Sequence, residues 1–154
     1  MDDHRGRLVR GLGVSIVLVT MLCAVGCSRK APDEANACIN NALSALAKGD
    51  TATFISAVVP AQREKVPALG EWAFFQAAKS HKIDNEFDLN VTDDSAMVMT
   101  TLYFDEEQKG FSTMYFVVNK VDGAWCIDLD ATIKKERESD GAQAFQVWTF
   151  EQQQ

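Results

Sequence analysis

Histidine is nearly absent from this chain: two occur among 154 residues, His4 and His81. That scarcity excludes a multi-histidine metal centre, which draws on several imidazoles at once. There is no metalloprotease helix with paired histidines, no Cys-x-x-Cys pair, no phosphate-binding loop, no dinucleotide glycine fingerprint and no nucleophile elbow. No metal and no cofactor is expected. An excess of positive charge is missing too. The net charge is -7 and the pI about 4.8, which argues against a protein that binds nucleic acid by neutralising phosphates. Long apolar runs are scarce. The uncharged run from Gly11 to Gly26 has 16 residues, short of the roughly 20 that cross a bilayer comfortably, although flanking polar residues could stretch it into an uncleaved anchor. What is present, 47% hydrophobic and 24% charged residues, is the composition of one globular domain, neither disordered nor multi-span.

The first 26 residues differ from the rest. Arg5, Arg7 and Arg10 precede a run carrying Val14, Ile16, Val17, Leu18, Val19, Met21 and Leu22, and small residues gather just before Cys27. Basic, apolar, then small is the order of a secretory signal. Ala24-Val25-Gly26-Cys27 resembles the lipobox of bacterial lipoproteins. The resemblance implies cleavage before Cys27 and a diacylglycerol thioether on its sulfur, with each buried methylene contributing about 0.8 kcal/mol to the anchor. Ser28 after the cysteine implies outer-membrane sorting, facing the periplasm, in a Gram-negative host. The alternative is an ordinary secreted protein in which Cys27 is incidental. Removing residues 1–26 takes away three Arg and two Asp and brings the net charge from -7 to -8. Anionic headgroups repel such a chain, so the lipid and not a basic patch must hold it. Cys38 and Cys126 remain. They form a disulfide in an oxidising compartment, or stay two separate buried thiols.

Residues 27–33 read as lipidated cysteine and tether, and 34–154 as a single domain. Ala35, Cys38, Ile39, Ala42, Leu43 and Leu46 recur at spacings of three and four, the apolar stripe of a helix. Gly49 ends it, and Asp50 or Thr51 caps a second helix carrying Phe54, Ile55, Val58 and Val59. A third helical stretch runs over 61–79, interrupted near Pro67 and Gly70, with Leu69, Trp72, Phe75 and Ala78 facing inward. After His81 the period changes to two. Phe87, Leu89 and Val91 alternate with Asp88 and Asn90 in a first strand. A second runs from about Met97 to Phe104, apolar on both faces and therefore central. Phe111 to Asn119 makes a third. Asp122-Gly123 turns the chain tightly, and Trp125, Ile127 and Leu129 make a fourth. Thr132 to Asp140 reads as a solvated helical turn, and 145–150 as a fifth strand. The class is α+β: N-terminal helices packed on an antiparallel sheet of four to five strands.

Lys48-Gly49-Asp50 between two helices, with the late hairpin Asp122-Gly123-Ala124-Trp125-Cys126-Ile127, resembles the nuclear transport factor 2-like fold. It is especially similar to small bacterial lipoproteins of unknown function that carry such a domain. The resemblance implies a curved, cone-shaped sheet around the helices, and a fold that hosts enzymes, binders and assembly modules alike. His81 is the candidate for acid–base work, although its place between Lys79 and Lys82 suits a solvated residue. Asp128 and Asp130 share a strand face and could pair for proton transfer or a cation; an exposed strand end explains them equally. Asp93-Asp94 and Asp105-Glu106-Glu107 are polar turns. Met97, Met99 and Met114 could line an apolar pocket, or simply fill the core. The leading expectation is a membrane-anchored envelope lipoprotein, not an enzyme, whose domain binds a partner protein or a small apolar ligand. The alternatives are an isomerase- or hydratase-type enzyme using His81 or an Asp as base, and a purely structural or stress-related envelope protein.

Overall fold

Residues 29–139 are described by the structure, a computed structural model. The leader, Cys27 and the expected fifth strand at 145–150 lie outside the described residues.

The first helix forms where its periodicity placed it. In α1 (Asp33–Ala47) the residues Ala35, Ile39, Ala42, Leu43 and Leu46 are buried, while Asp33 and Glu34 sit in the first turn, where negative charge suits the helix dipole. Gly49 takes φ 80°, a conformation a side chain would strain. Asp50 then caps α2 (Thr51–Ala57), accepting from the N–H of Thr53 at 3.0 Å. The long third helix expected over 61–79 is two elements instead: a 3-10 helix over Pro60–Ala68 and α3 (Trp72–Ala77). Pro67 lies inside the former, and a ring without an N–H stops an α-helix from propagating through it.

The sheet is an antiparallel meander in the order β1-β2-β3-β4, curled around the helices. β2 (Ser95–Tyr103) is central, between β1 (Ser80–Ile83) and β3 (Phe111–Val121), and β4 (Ala124–Ile127) forms one edge. Asp122 and Gly123, at φ 51° and 82°, make the two-residue turn that matches strand twist. Between helices and sheet the space is packed with rings. Phe75 lies 6.5 Å from Phe54, 5.4 Å from Phe74 and 6.0 Å from Phe116, and Trp72 lies tilted against Phe54 at 5.5 Å.

Two expectations fail here. Residues 87–91 are not a strand with Phe87 and Leu89 inward. Asn85–Phe87 is one 3-10 turn started by Asp84, whose side chain accepts from the N–H of Glu86 at 3.3 Å, and only the bridge Leu89↔Met97 touches the sheet. The facing is reversed at 87–89 alone, while Val91 packs against the core as expected. Asp88 is 4% exposed, Phe87 52% and Leu89 43%. The described part of 132–140 is helical, as expected, but not wholly solvated. The fourth strand stops at Ile127, Asp128 caps α4 (Leu129–Glu138), and Leu129, Thr132, Ile133 and Glu136 are buried. β4 is too short to pair all of β3, so α4 lies along the remaining edge. Thr132 Oγ1 accepts the N–H of Val117 at 2.9 Å, and Glu136 Oε1 that of Tyr115 at 3.0 Å.

Candidate functional site

The end of the domain where the chain comes in from Cys27 carries the most unusual chemistry among the described residues. Ala31 is buried and held on both sides. Its N–H donates to Asp88 Oδ2 at 2.8 Å, and its carbonyl accepts from Asn36 Nδ2 at 3.4 Å. Asp88 Oδ1 and Asn36 Oδ1 are buried without a partner among the described residues. Arg29 pairs with Asp93 at 3.2 Å across the surface. Because Asp88 turns inward to hold Ala31, its neighbours Phe87 and Leu89 turn outward.

Beside this clasp runs an open groove of about 550 Å³ between α1 and the β3–β4 hairpin. Ala37, Ala124 and Trp125 give it apolar surface, and Glu34, Asp93 and Lys120 charge. Lys120 Nζ stands 5.8 Å from the centre of the Trp125 ring, within the range of a cation–π contact. Cys38 also lines it, donating its S–H to the carbonyl of Trp125 at 3.2 Å. Val59 covers the next carbonyl of the same edge, donating to Ile127 O at 2.9 Å. The free edge of β4 is thereby closed, as edge strands usually are.

Cys38 and Cys126 are both free thiols. Burial pushes the Cys38 thiol up to about 11, and the nearby Cys126 adds to the rise against a hydrogen bond from the Ile127 backbone. Cys38 is therefore protonated at neutral pH and a poor nucleophile. Cys126 lies opposite Asn119, on the strand face alternate to Ile127.

The other sequence candidates do not converge. His81 is in β1 opposite Leu102, not at a solvated junction. Its Nε2 lies 3.0 Å from Asn40 Oδ1, and burial lowers its pKa below 6.5. Asp128 and Asp130 do not share a strand face, since both belong to the start of α4. Asp128 is structural. It accepts from Ala131 N at 3.0 Å, Gln62 Nε2 at 2.8 Å and Asn119 Nδ2 at 3.0 Å. Met114 packs in the core on the helix side, whereas Met97 and Met99 stand on the other face of the sheet, so the three do not line one pocket. Asp105 organises its turn, accepting from the backbone of Gly110 and Lys109, which lowers its pKa. Sequence reading missed Asp88 and Glu136, both buried carboxylates. Neither carries a signal other than a charge at a position later found to face inward.

No protein-family model matches the chain, and no curated protein does. A solved structure from Campylobacter jejuni, named as a candidate NTF2-like transpeptidase, is similar at 17% identity and a TM-score of 0.45, over 60% of this chain and 94% of that one. A likeness at that level carries no inference about activity.

Proposed function

We propose that this chain is an envelope lipoprotein, acylated on Cys27, whose α+β domain binds a partner protein in the groove between α1 and the β3–β4 hairpin. The observation that carries the reading is the position of the groove. It abuts Pro32, one residue after the clasped Ala31 and five after Cys27. The groove is open, with apolar surface from Trp125 and charged Glu34, Asp93 and Lys120 beside it. An enclosed small-molecule pocket buries most of its ligand, whereas an open groove of this kind suits a segment of another protein, with an aromatic anchor and a polar rim. Catalysis is not expected. His81 bonds to an amide, Asp128 is spent on a helix cap, and Cys38 is held as a thiol.

The test is an intact mass on protein extracted from membranes by detergent, followed by crosslinking from a photoreactive residue at Ala124. A mass equal to residues 27–154 plus acyl groups, with a crosslinked envelope protein that Trp125→Ala and Lys120→Glu abolish, is the expected result. A chain without lipid, or one retaining Met1, overturns the anchor. A crosslink indifferent to Trp125 and Lys120 overturns the groove.

A further inference from the structure

Phe87 and Leu89 are large apolar side chains left 52% and 43% exposed, and they flank the residue that ties down the N-terminal tether. Asp88 holds the N–H of Ala31 at 2.8 Å. Ala31 is only the fourth residue after Cys27. Extended chain covers at most about 3.5 Å per residue, so the clasp cannot stand more than about 14 Å from the cysteine. If that cysteine carries acyl chains in a bilayer, the tether keeps the segment 87–89 within reach of the headgroup region, a layer of about 5–8 Å on each side.

We propose that Phe87 and Leu89 insert into the interfacial layer of a zwitterionic phospholipid membrane and fix the orientation of the domain on it. The proposal rests on the acylation of Cys27 argued above. Two exposed apolar side chains are ordinary on a protein surface and too few to hold a free protein on a bilayer; what singles this pair out is its place beside the tether. On a short tether the contact becomes intramolecular, where a weak interaction acts at millimolar effective concentration. The choice of lipid follows from charge. Glu86, Asp93 and Asp94 are exposed in the same stretch of chain and outnumber Arg29, paired with Asp93, and the exposed Lys30 of the tether. Anionic headgroups are therefore unfavourable and zwitterionic ones are not. The arrangement at the end of the 3-10 turn completes the device: the buried Asp88 carboxylate grips the tether, and its two neighbours are left exposed. Phe111, 63% exposed, is the natural contrast. It pairs with Tyr103, whereas Leu89 bridges to Met97, and six residues of β2 place the two about 20 Å apart.

The experiment uses the acylated protein purified from membranes, its mass confirmed, and reconstituted in phosphatidylcholine vesicles with brominated acyl chains. Phe87→Trp, Leu89→Trp and Phe111→Trp are compared after subtracting the quenching of Trp72, Trp125 and Trp148 in the unsubstituted protein. Loss of emission and a blue shift at 87 and 89, with solvent-like emission at 111, is the expected result. Emission at 87 and 89 indifferent to bromolipid overturns the proposal, as does equal quenching at 111. Crosslinking of the vesicle-bound protein into a dimer that Phe87→Ser/Leu89→Ser abolishes assigns the pair to a second copy and overturns it too. An unacylated mass refutes the anchor itself, an outcome separate from the other three.

Discussion

The carboxylate of Glu136 accepts the backbone N–H of Tyr115 at 3.0 Å, from a helix to a strand 21 residues earlier. With Thr132 on Val117, it lets α4 stand in for the strand that β4 is too short to supply. The arrangement costs Glu136 part of its water, and that desolvation raises its pKa above 4.5 despite the hydrogen bond from Tyr115. A carboxyl with a raised folded pKa prefers its neutral form in the fold. Its contribution is complete below the unfolded value and is lost as pH rises through the folded one. Glu136→Gln, which keeps the acceptor and removes the charge, is therefore expected to gain on the unsubstituted protein as pH rises from about 4 to 7. Glu136→Leu strands the Tyr115 N–H and is expected to cost about 1–3 kcal/mol. Urea unfolding at the two pH values measures both. A constant difference between Gln and Glu across the range refutes the assignment.

Asp128 joins three elements. Its carboxylate caps α4 at Ala131 and accepts from Gln62 and Asn119, while Gln62 Oε1 in turn accepts the N–H of Leu129 at 2.9 Å. A helix cap is worth about 1 kcal/mol, and hydrogen bonds to a charged acceptor more than neutral ones. Asp128→Ala is expected to cost about 2–3 kcal/mol. Because the residues share one network, Asp128→Ala combined with Gln62→Ala should cost less than the two added. Additive losses in a double-mutant cycle separate the cap from the network and count against this account.

Legibility followed periodicity. The stripe Ala35, Ile39, Ala42, Leu43 and Leu46 and the central position of β2 were plain because long repeats leave one choice of face. The Asp122-Gly123 turn was plain because both positions need positive φ. The segment 87–91 was misread because five alternating residues look like a strand, whereas the buried hydrogen bond from Ala31 draws Asp88 inward beside a 3-10 turn. Nothing local reports a partner 57 residues away. The helix at Leu129–Glu138 was misread for a related reason. Its charged residues look solvated until the unpaired edge of β3 calls Glu136 and Thr132 inward. The candidate site was legible in its parts, Trp125 and Cys38 among them. Their meeting beside the tether was not, since it depends on where α1 crosses the sheet.

Cys38 tests that crossing. Its thiol closes the β4 edge on the Trp125 carbonyl and titrates at about 11. Alkylation of the folded protein near pH 8 should leave Cys38 unmodified, since thiolate is the reactive species. Unfolding without reductant should then label both Cys38 and Cys126, which stand as free thiols. Intact mass reads the count. A denatured chain that takes up label only after reduction contains the disulfide and refutes the expectation of two thiols.

His81 supplies the pH dependence on the other side of neutrality. Its ring is half-buried in β1 against Asn40, and desolvation lowers its pKa below 6.5. A base with a depressed folded pKa binds its proton more readily in the unfolded chain. Stability from His81 is thus fully present above 6.5 and declines as pH falls through the folded value. Glu136, with its raised pKa, also changes stability below neutrality, so the ring is read from the difference between the unsubstituted protein and a variant at position 81. His81→Gln keeps a donor for Asn40 Oδ1 and removes the titration. From neutrality down to about pH 5.5 its unfolding free energy should gain on that of the unsubstituted protein, and the imidazole proton resonances should show a midpoint below 6.5. A midpoint at or above 6.5, or parallel curves for the two proteins, means that the ring is solvated. The contact with Asn40 would then not hold β1 to α1.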